Sequence, residues 1–280
     1  MSHIDLHIHS VYSDGSHTLQ EIKEHVIEKR LKTISISDHD TFEAYEHIAQ
    51  YEFPCTIIKG IEISAFDVVE QKNVHILGYG FPSKTPHIDK LCKPMLERRK
   101  AISLWQIQQL QDAGYQVNEE EILEIAKPST SLYKQHIMKV MMDKGYSERI
   151  YSQLYQTLFK HGGICVHPME FVRVEEAIEA IHKDGGFAIL AHPYESKVVA
   201  QIPSYINYGL DGIETYHNSH KQVHIDHLHA IARNYHLLET GGSDAHGIYG
   251  DEPEIGIVIE GMKDEDITIC EKNILFMQNN

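Results

Sequence analysis

The chain has 280 residues, enough for one large domain or one domain with a small insertion. Hydrophobic residues make up 42 % of it, which supports a sizeable core and argues against disorder. A formal net charge of −16 argues against broad binding to nucleic acid or to an anionic membrane, although bound cations can reverse the local field for a phosphate ligand. The first predicted strand, His3–His9, ends in a His-x-His pair. Residues two apart in a strand share a face, so His7 and His9 can grip one metal ion, and the turn that follows brings in Asp14. A helix over Leu19–Lys29 leads to a strand over Thr33–Ser37, which ends in Ser37-Asp38-His39-Asp40. After a helix over Phe42–Tyr51 come strands over Thr56–Ile63, carrying Glu62, and His75–Gly80.

The middle of the chain breaks this alternation. From Lys93 to Phe159 the apolar positions, among them Leu96, Trp105, Leu110, Ile122 and Met138, have helical spacing and no strand is evident. Ala113-Gly114 reads as a helix stop and Lys127-Pro128 as a break. The expected organisation is therefore a body made of 1–92 and 166–280, with 93–165 as a helical insertion. Beyond it lie a helix over Val174–Lys183 and a strand over Phe187–Ala191 that runs into His192-Pro193. A strand over Gly212–Tyr216 with Glu214, a helix over Val223–Asn234 and a strand over Leu237–Gly241 complete the pattern, and the last strand runs into Ser243-Asp244-Ala245-His246. Strand–helix alternation predicts an α/β parallel sheet or barrel, in which ligands gather at the C-terminal strand ends.

There are 21 histidines, and histidine is the commonest metal ligand. Imidazole mixed with carboxylate suits zinc, manganese or iron, whereas calcium and magnesium sites are built from oxygen. The four cysteines form no CxxC pair, no basic-then-apolar leader opens the chain, and no apolar run reaches the roughly 20 residues that span a bilayer. A soluble, cytoplasmic protein is expected.

The ordered set DLHIHSVYSDG, SDHD, GIEIS, HILGY, LAHP and GSDAHG resembles the polymerase-and-histidinol-phosphatase (PHP) family of metal-dependent phosphoesterases over nearly the whole chain. The resemblance implies a distorted β/α barrel of about seven strands that holds two or three divalent ions, Mn2+, Fe2+ or Zn2+. It implies that His7, His9, Glu62 and Asp244 hold a first metal, and that Glu62, His75 and His192 hold a second, with Glu62 as the bridge. Asp14, His39 and His246 would hold a third. Glu62, His192 and Asp244 stand at the centre of the implied chemistry: a metal-activated hydroxide attacks phosphorus in line while the cations neutralise the phosphoryl oxygens, and no protein nucleophile is needed. Asp38 and Asp40 either orient these ligands or serve as turn and helix-capping residues, and Glu214 is either an orienting group or a buried partner.

Substrate choice is expected to lie in the insertion. Arg98 and Arg99, then Lys134 and His136, form cationic clusters that either grip a second phosphate or make a solvated helix face, and His217 is placed to reach the pocket. The LERRKAI and YKQHIM segments are similar to the branch of the family that acts on nucleoside 3′,5′-bisphosphates, some relatives of which trim short RNA from its 5′ end. The resemblance implies removal of the 3′-phosphate from pAp-like molecules, giving AMP and phosphate, or action on very short 5′-phosphorylated oligonucleotides. No membrane or long duplex partner is expected. The alternatives are histidinol-phosphate hydrolysis, C–N hydrolysis of the amidohydrolase type and a non-catalytic metal-binding module. The Asp14, His39 and His246 set favours phosphate over amide, because an amide has less need of extra positive charge. Tyr194 is open to two readings, stacking on a base or packing at the barrel rim, and a metal site on the His217, His220, His224 and His227 face competes with a polar helix face.

Overall fold

Alternation of apolar and polar residues makes Ile4–Ile8 a strand (β1), yet its two faces exchange roles partway along. Its pairing with β2 (Thr33–Ile36) is shifted between Asp5 and Ile8. Below the shift, Ile4 and Leu6 pack with Leu77, Tyr79 and Ile189. Above it, Ile8 packs with Leu19, Ile22 and Val26 of helix α1 (Leu19–Lys29), and His7 and His9 are buried in the site described below. A bulge changes which alternate residues face inward, so one short strand supplies both an apolar plug and two imidazoles. The computed structural model describes residues 4–82, 84–250 and 254–256. His3, Cys270 and the last part of the expected body, 257–280, lie outside the described residues.

Helix α2 (Glu43–His47) is shorter than expected and continues as a 3-10 turn over Ile48–Gln50. The expected strand Thr56–Ile63 is split into β3 (Thr56–Ile57) and β4 (Gly60–Asp67), and β5 (Lys72–Tyr79) returns from β4 as a hairpin. The helical segment comprises α3 (Pro86–Asp112), α4 (Glu119–Ile125), α5 (Lys134–Asp143) and α6 (Gln153–Phe159). Next come β6 (Val172–Arg173), which sequence patterning did not reveal, α7 (Val174–Lys183) and β7 (Phe187–Leu190). The described part ends with α8 (Ile202–Asn207), β8 (Gly212–His217), α9 (Gln222–Tyr235) and β9 (Leu238–Gly242). Among the described residues no helix is long and apolar enough to cross a membrane.

The strands form two sheets, β1-β2-β3 and β6-β4-β5-β7-β8-β9. Isolated parallel bridges join them twice, His39 to Glu62 and Ile8 to Ala245. The second join is reinforced where the Asp244 N–H donates to the His7 carbonyl at 2.8 Å and the His9 N–H to the Ala245 carbonyl at 3.0 Å. With β3 and β6 as short side pieces, the remaining strands close a distorted barrel in the order β1-β2-β4-β5-β7-β8-β9. One strand departs from the expected parallel arrangement, because β5 runs antiparallel to both β4 and β7. That reversal matters for His75. The residue lies in the first half of its own strand, yet it pairs with Ser64 and its carbonyl accepts from Ala191, so it arrives at the barrel end where β1, β2, β7 and β9 finish.

The expected boundary at 93 falls inside α3. Ile88, Cys92 and Met95 of this helix pack on the barrel core, whereas Ile107 and Leu110 belong to a separate core shared with Ile122, Ile137, Met141, Leu158 and Phe159. One long helix thereby fixes the helical unit over the barrel mouth. Loop contacts strengthen the seam: the Thr130 N–H donates to the Tyr12 carbonyl at 3.0 Å, and the Ser129 hydroxyl donates to the Ser13 carbonyl at 2.8 Å.

Barrel closure depends on Gly242, since a Cβ there would sit 2.1 Å from the His7 Cβ and 2.5 Å from its backbone nitrogen. Gly242→Ala should therefore separate β9 from β1 and cost about 1–3 kcal/mol of stability or more. Chemical denaturation checks this, and a stability equal to that of the native chain would show that β1 and β9 have room to spare.

Candidate metal centre

Each element delivers its polar residue to the same barrel end. β1 brings His7 and His9, the following turn Asp14, the end of β2 His39, and β4 Glu62. Hairpin strand β5 brings His75, the turn after β7 His192, and the turn after β9 Asp244 and His246. Three groups of ligand-type atoms, each lying within 4.8 Å of one another, result: His7, His9, Glu62 and Asp244; His39, Glu62 and His75; and His9, Asp14, His39 and His246. The first matches the expected first set. The third contains the expected third set with His9 added. In the second group His39 stands beside Glu62 and His75, and His192 Nε2 reaches Glu62 Oε1 at 3.2 Å, the same oxygen that His75 Nδ1 approaches at 2.9 Å. All nine residues expected as ligands thus lie in one continuous cluster.

The donor set fits cations. Buried atoms His7 Nε2, both ring nitrogens of His9, His39 Nδ1, Glu62 Oε2 and Asp244 Oδ1 lack a hydrogen-bond partner. They face one another at short range, with His9 Nε2 at 3.1 Å from Asp244 Oδ1 and His39 Nδ1 at 3.1 Å from Glu62 Oε2. Buried polar atoms are rarely left unpaired, and nitrogen and carboxylate oxygen converging on common points is the arrangement that a divalent transition ion satisfies. Two of the residues hold unusual backbone angles: His192 has φ 25° and Asp244 φ 54°, left-handed values uncommon outside glycine.

Electrostatics point the same way. Burial pushes the Glu62 carboxyl up, but His75, His39 and His7 together outweigh it and hold the group well below the usual carboxylate range. Asp244 is also held well below its ordinary value, where His7, His217 and His9 overcome burial. For His9, burial lowers the ring and the adjacent Asp244 and Glu62 carboxylates lift it to about 10. His192 is lifted to about 9 against burial by Glu62 and Asp244. In His39 burial prevails over Glu62 and Asp14, and the ring falls to about 3.

Around the ligands, Asp38 accepts from the Ser10 N–H at 2.7 Å, the Ser10 hydroxyl at 2.6 Å and the Ser13 hydroxyl at 2.5 Å, which ties down the turn that carries Asp14. Asp40 accepts from the Ser64 N–H and from the Arg99 guanidinium, both at 2.8 Å. The structure thereby separates the cationic residues expected to bind substrate. Arg99 and Lys134 line a cavity of about 490 Å³ that also exposes Asp14, His39, Glu62, His75, His192, Asp244 and His246. Arg98 is turned towards Glu170, at 3.3 Å, and is not part of that lining. His136 is buried and caps its own helix, its Nδ1 accepting from the Tyr133 N–H at 3.2 Å, and burial lowers it to about 4. His217 is buried behind the lining, its Nε2 3.5 Å from Asp244 Oδ2.

Several lining residues escaped sequence reasoning. Gln135 Nε2 donates to Asp14 Oδ2 at 2.8 Å, and the Tyr133 hydroxyl donates to the His39 carbonyl at 3.1 Å. Both flank Lys134, so their position was the available signal. Tyr151, Lys160 and Phe171 come from separate segments and meet the site only after folding.

Known proteins resemble this chain in sequence and fold. The PHP domain family model matches residues 5–187. A phosphoribosyl 1,2-cyclic phosphate 1,2-diphosphodiesterase from Eggerthella lenta is 38 % identical over 255 residues, 90 % of this chain and 97 % of that protein. The 5′-3′ exoribonuclease Rnm of Salmonella typhimurium is 27 % identical, over 86 % of this chain and 84 % of its own length. A 3′,5′-nucleoside bisphosphate phosphatase from Chromobacterium violaceum is 26 % identical over 88 % of each chain. Among solved structures, a Bifidobacterium adolescentis protein assigned to the metal-dependent phosphoesterases superposes with a TM-score of 0.84 at 25 % identity, covering 98 % of this chain and 96 % of that one. Fold and site together define a metal-dependent hydrolase of phosphoric esters. The chain belongs to the PHP family.

Two outcomes follow for cation binding. A cation must displace protons from His9, near 10, and His192, near 9, whereas Glu62 and Asp244 are already ionised at neutral pH. Affinity for Mn2+ should therefore rise as pH rises from 6 to 9, with proton release visible by calorimetry in buffers of different ionisation enthalpy; a pH-independent affinity would contradict this. Glu62→Gln should lower the number of ions retained after dialysis, because its carboxylate belongs to two of the three groups. An unchanged metal count by mass spectrometry would remove Glu62 as a bridge.

Proposed function

We propose that this enzyme hydrolyses the 3′-phosphoester of a ribose that also carries a 5′-phosphate. The leading substrate is a nucleoside 3′,5′-bisphosphate, with pAp giving AMP and phosphate, and very short 5′-phosphorylated oligonucleotides belong to the same class. The observation that carries the reading is a single cavity whose wall combines the ligand cluster with Arg99, Lys134 and Lys160. One phosphoryl group meets the cluster while a second meets these cations.

His7, His9, Glu62 and Asp244 hold the first of two or three Mn2+, Fe2+ or Zn2+ ions in this account, Glu62, His75 and His192 the second, and Asp14, His39 and His246 the third. Such ions supply an activated water and neutralise charge on the phosphoryl oxygens. The chain's own residues do the rest. Arg99 is aimed by Asp40 and by the Ser64 hydroxyl at 3.1 Å, and its guanidinium lies 4.7 Å from the Tyr133 ring centre. That arrangement fixes a fork suited to phosphate. Lys134 has no carboxylate within ion-pair distance among the described residues, so its charge is available to a substrate anion. Tyr151 and Phe171, partly exposed on the cavity wall, offer ring surface for a ribose or base. We assign substrate selection to the helical unit within 93–165, and a cytoplasmic setting is supported by Cys55, Cys92 and Cys165 being free thiols.

A second reading, hydrolysis of a phosphoribosyl cyclic phosphate, is favoured by the 38 % identity to the Eggerthella lenta diphosphodiesterase over 97 % of that protein. Product analysis with manganese-loaded enzyme separates the two: phosphate and AMP from pAp, AMP alone from pApA, phosphate from histidinol phosphate, and a ring-opened phosphomonoester or free phosphate from phosphoribosyl 1,2-cyclic phosphate. Release from pAp with little from histidinol phosphate supports the leading reading; turnover of the cyclic phosphate alone replaces it with the second.

Burial, Lys160 and Arg99 lower Lys134 to about 8. It is therefore charged below pH 8 and neutral above it. KM for pAp should rise as pH passes 8, more than KM for a simple phosphomonoester, and Lys134→Ala should abolish the difference while raising KM for pAp about tenfold. Parallel pH profiles for the two substrates would show that Lys134 does not read the second phosphate.

A further inference from the structure

The strongest unassigned feature near the cluster is Glu214, a carboxylate that is fully buried on β8. It lies at a register shift between Glu214 and Tyr216, where two residues of β8 span one step of β9. Both of its oxygens are engaged by members of the ligand cluster. Oε1 lies 3.0 Å from His7 Nδ1, and Oε2 accepts the His192 backbone N–H at 2.8 Å. The first contact leaves His7 Nε2 aimed at Glu62, 3.3 Å away, and at Asp244, 3.4 Å away. The second contact holds the residue whose backbone sits at φ 25°.

We infer that Glu214 is the positioning residue that locks His7 in its Nδ1–H tautomer and at the same time clamps the strained His192 turn, so that one carboxylate orients ligands of two neighbouring metal positions. This rests on the reading of His7 and His192 as metal ligands. A carboxylate is required because both partners donate. A glutamine has one accepting oxygen and one donating nitrogen, so in either orientation an N–H of the amide faces an N–H of the protein. Only one of the two contacts survives the change, at nearly constant volume. Groups that orient metal-bound imidazoles typically contribute 10–100-fold to metal affinity.

Co2+ serves as the probe because its visible absorption reports coordination independently of turnover. Glu214→Gln is expected to bind Co2+ 10–100-fold more weakly than the native chain and with a changed absorption band, and the chelator-treated variant is expected to keep its cooperative thermal transition. Native Co2+ affinity and spectrum in a folded variant would overturn the proposal, as would a lowered melting temperature with affinity intact. Should the variant not fold, the native cobalt protein still decides. The His7 Nδ1–H is expected to appear as a hyperfine-shifted proton that exchanges slowly with water, and a rapidly exchanging ring proton would overturn the assignment. Failure of the native chain to bind Co2+ would instead overturn the metal reading itself, and this inference with it.

Discussion

The Glu62 carboxylate is the constraint around which this molecule is organised. It is buried, and five imidazoles reach it: His75 at 2.9 Å, His39 at 3.1 Å, His9 and His192 at 3.2 Å, and His7 at 3.3 Å. A lone carboxylate in that position would be protonated by burial. The surrounding rings keep it ionised, and it in turn raises His9 and His192. Breaking a buried charged pair by removing one partner costs about 3–5 kcal/mol, so the arrangement stands or falls as a group. The five rings come from β1, the end of β2, β5 and the turn after β7. Gathering them requires a closed barrel.

The barrel supplies that closure in an irregular way. The Asp5–Ile8 shift in β1 turns two histidines towards the site, and the shift in β8 places Glu214 behind one of them. Antiparallel β5 brings a residue from early in its strand to the same end as the parallel strands. The left-handed backbones at His192 and Asp244 aim side chains that ordinary turns would misplace. Strain of this kind, of order 1–3 kcal/mol per residue, is held by the surrounding bonds and concentrates where chemistry is performed. The helical unit takes part as well, because Gln135 reaches Asp14 and Tyr133 reaches the backbone of His39. Cavity-lining residues of the helical unit and candidate ligands are therefore joined by direct hydrogen bonds.

Much of this was legible in the sequence. Strand–helix alternation announced an α/β sheet or barrel, the family resemblance pointed to the barrel, the His-x-His at the end of β1 marked a candidate ligand pair, and the ordered motifs implied the nine residues that the structure gathers. Other features depend on long-range packing and leave little local trace. The direction of β5 is set by its hairpin with β4 and by pairing with β7, more than a hundred residues later in the chain. Residue type alone did not separate Arg98 from Arg99: adjacent positions on a helix point about 100° apart, so one meets Glu170 at the surface and the other, on the cavity wall, meets the buried Asp40. His136 looked like a cation beside Lys134 but is a buried cap, since its ring turns back to the Tyr133 N–H. Lys160 and Phe171 carried no signal, because their neighbours in space are distant in sequence.

The central claim is that one buried carboxylate organises several cations for phosphoester hydrolysis. Anomalous diffraction from crystals of the manganese-loaded enzyme tests it most directly. The account predicts strong peaks on either side of Glu62, one among His7, His9 and Asp244 and one beside His75 and His192, with a further peak at Asp14, His39 and His246 when the third position is filled. Anomalous density confined to other parts of the molecule, or peaks that Glu62 does not touch, would contradict it.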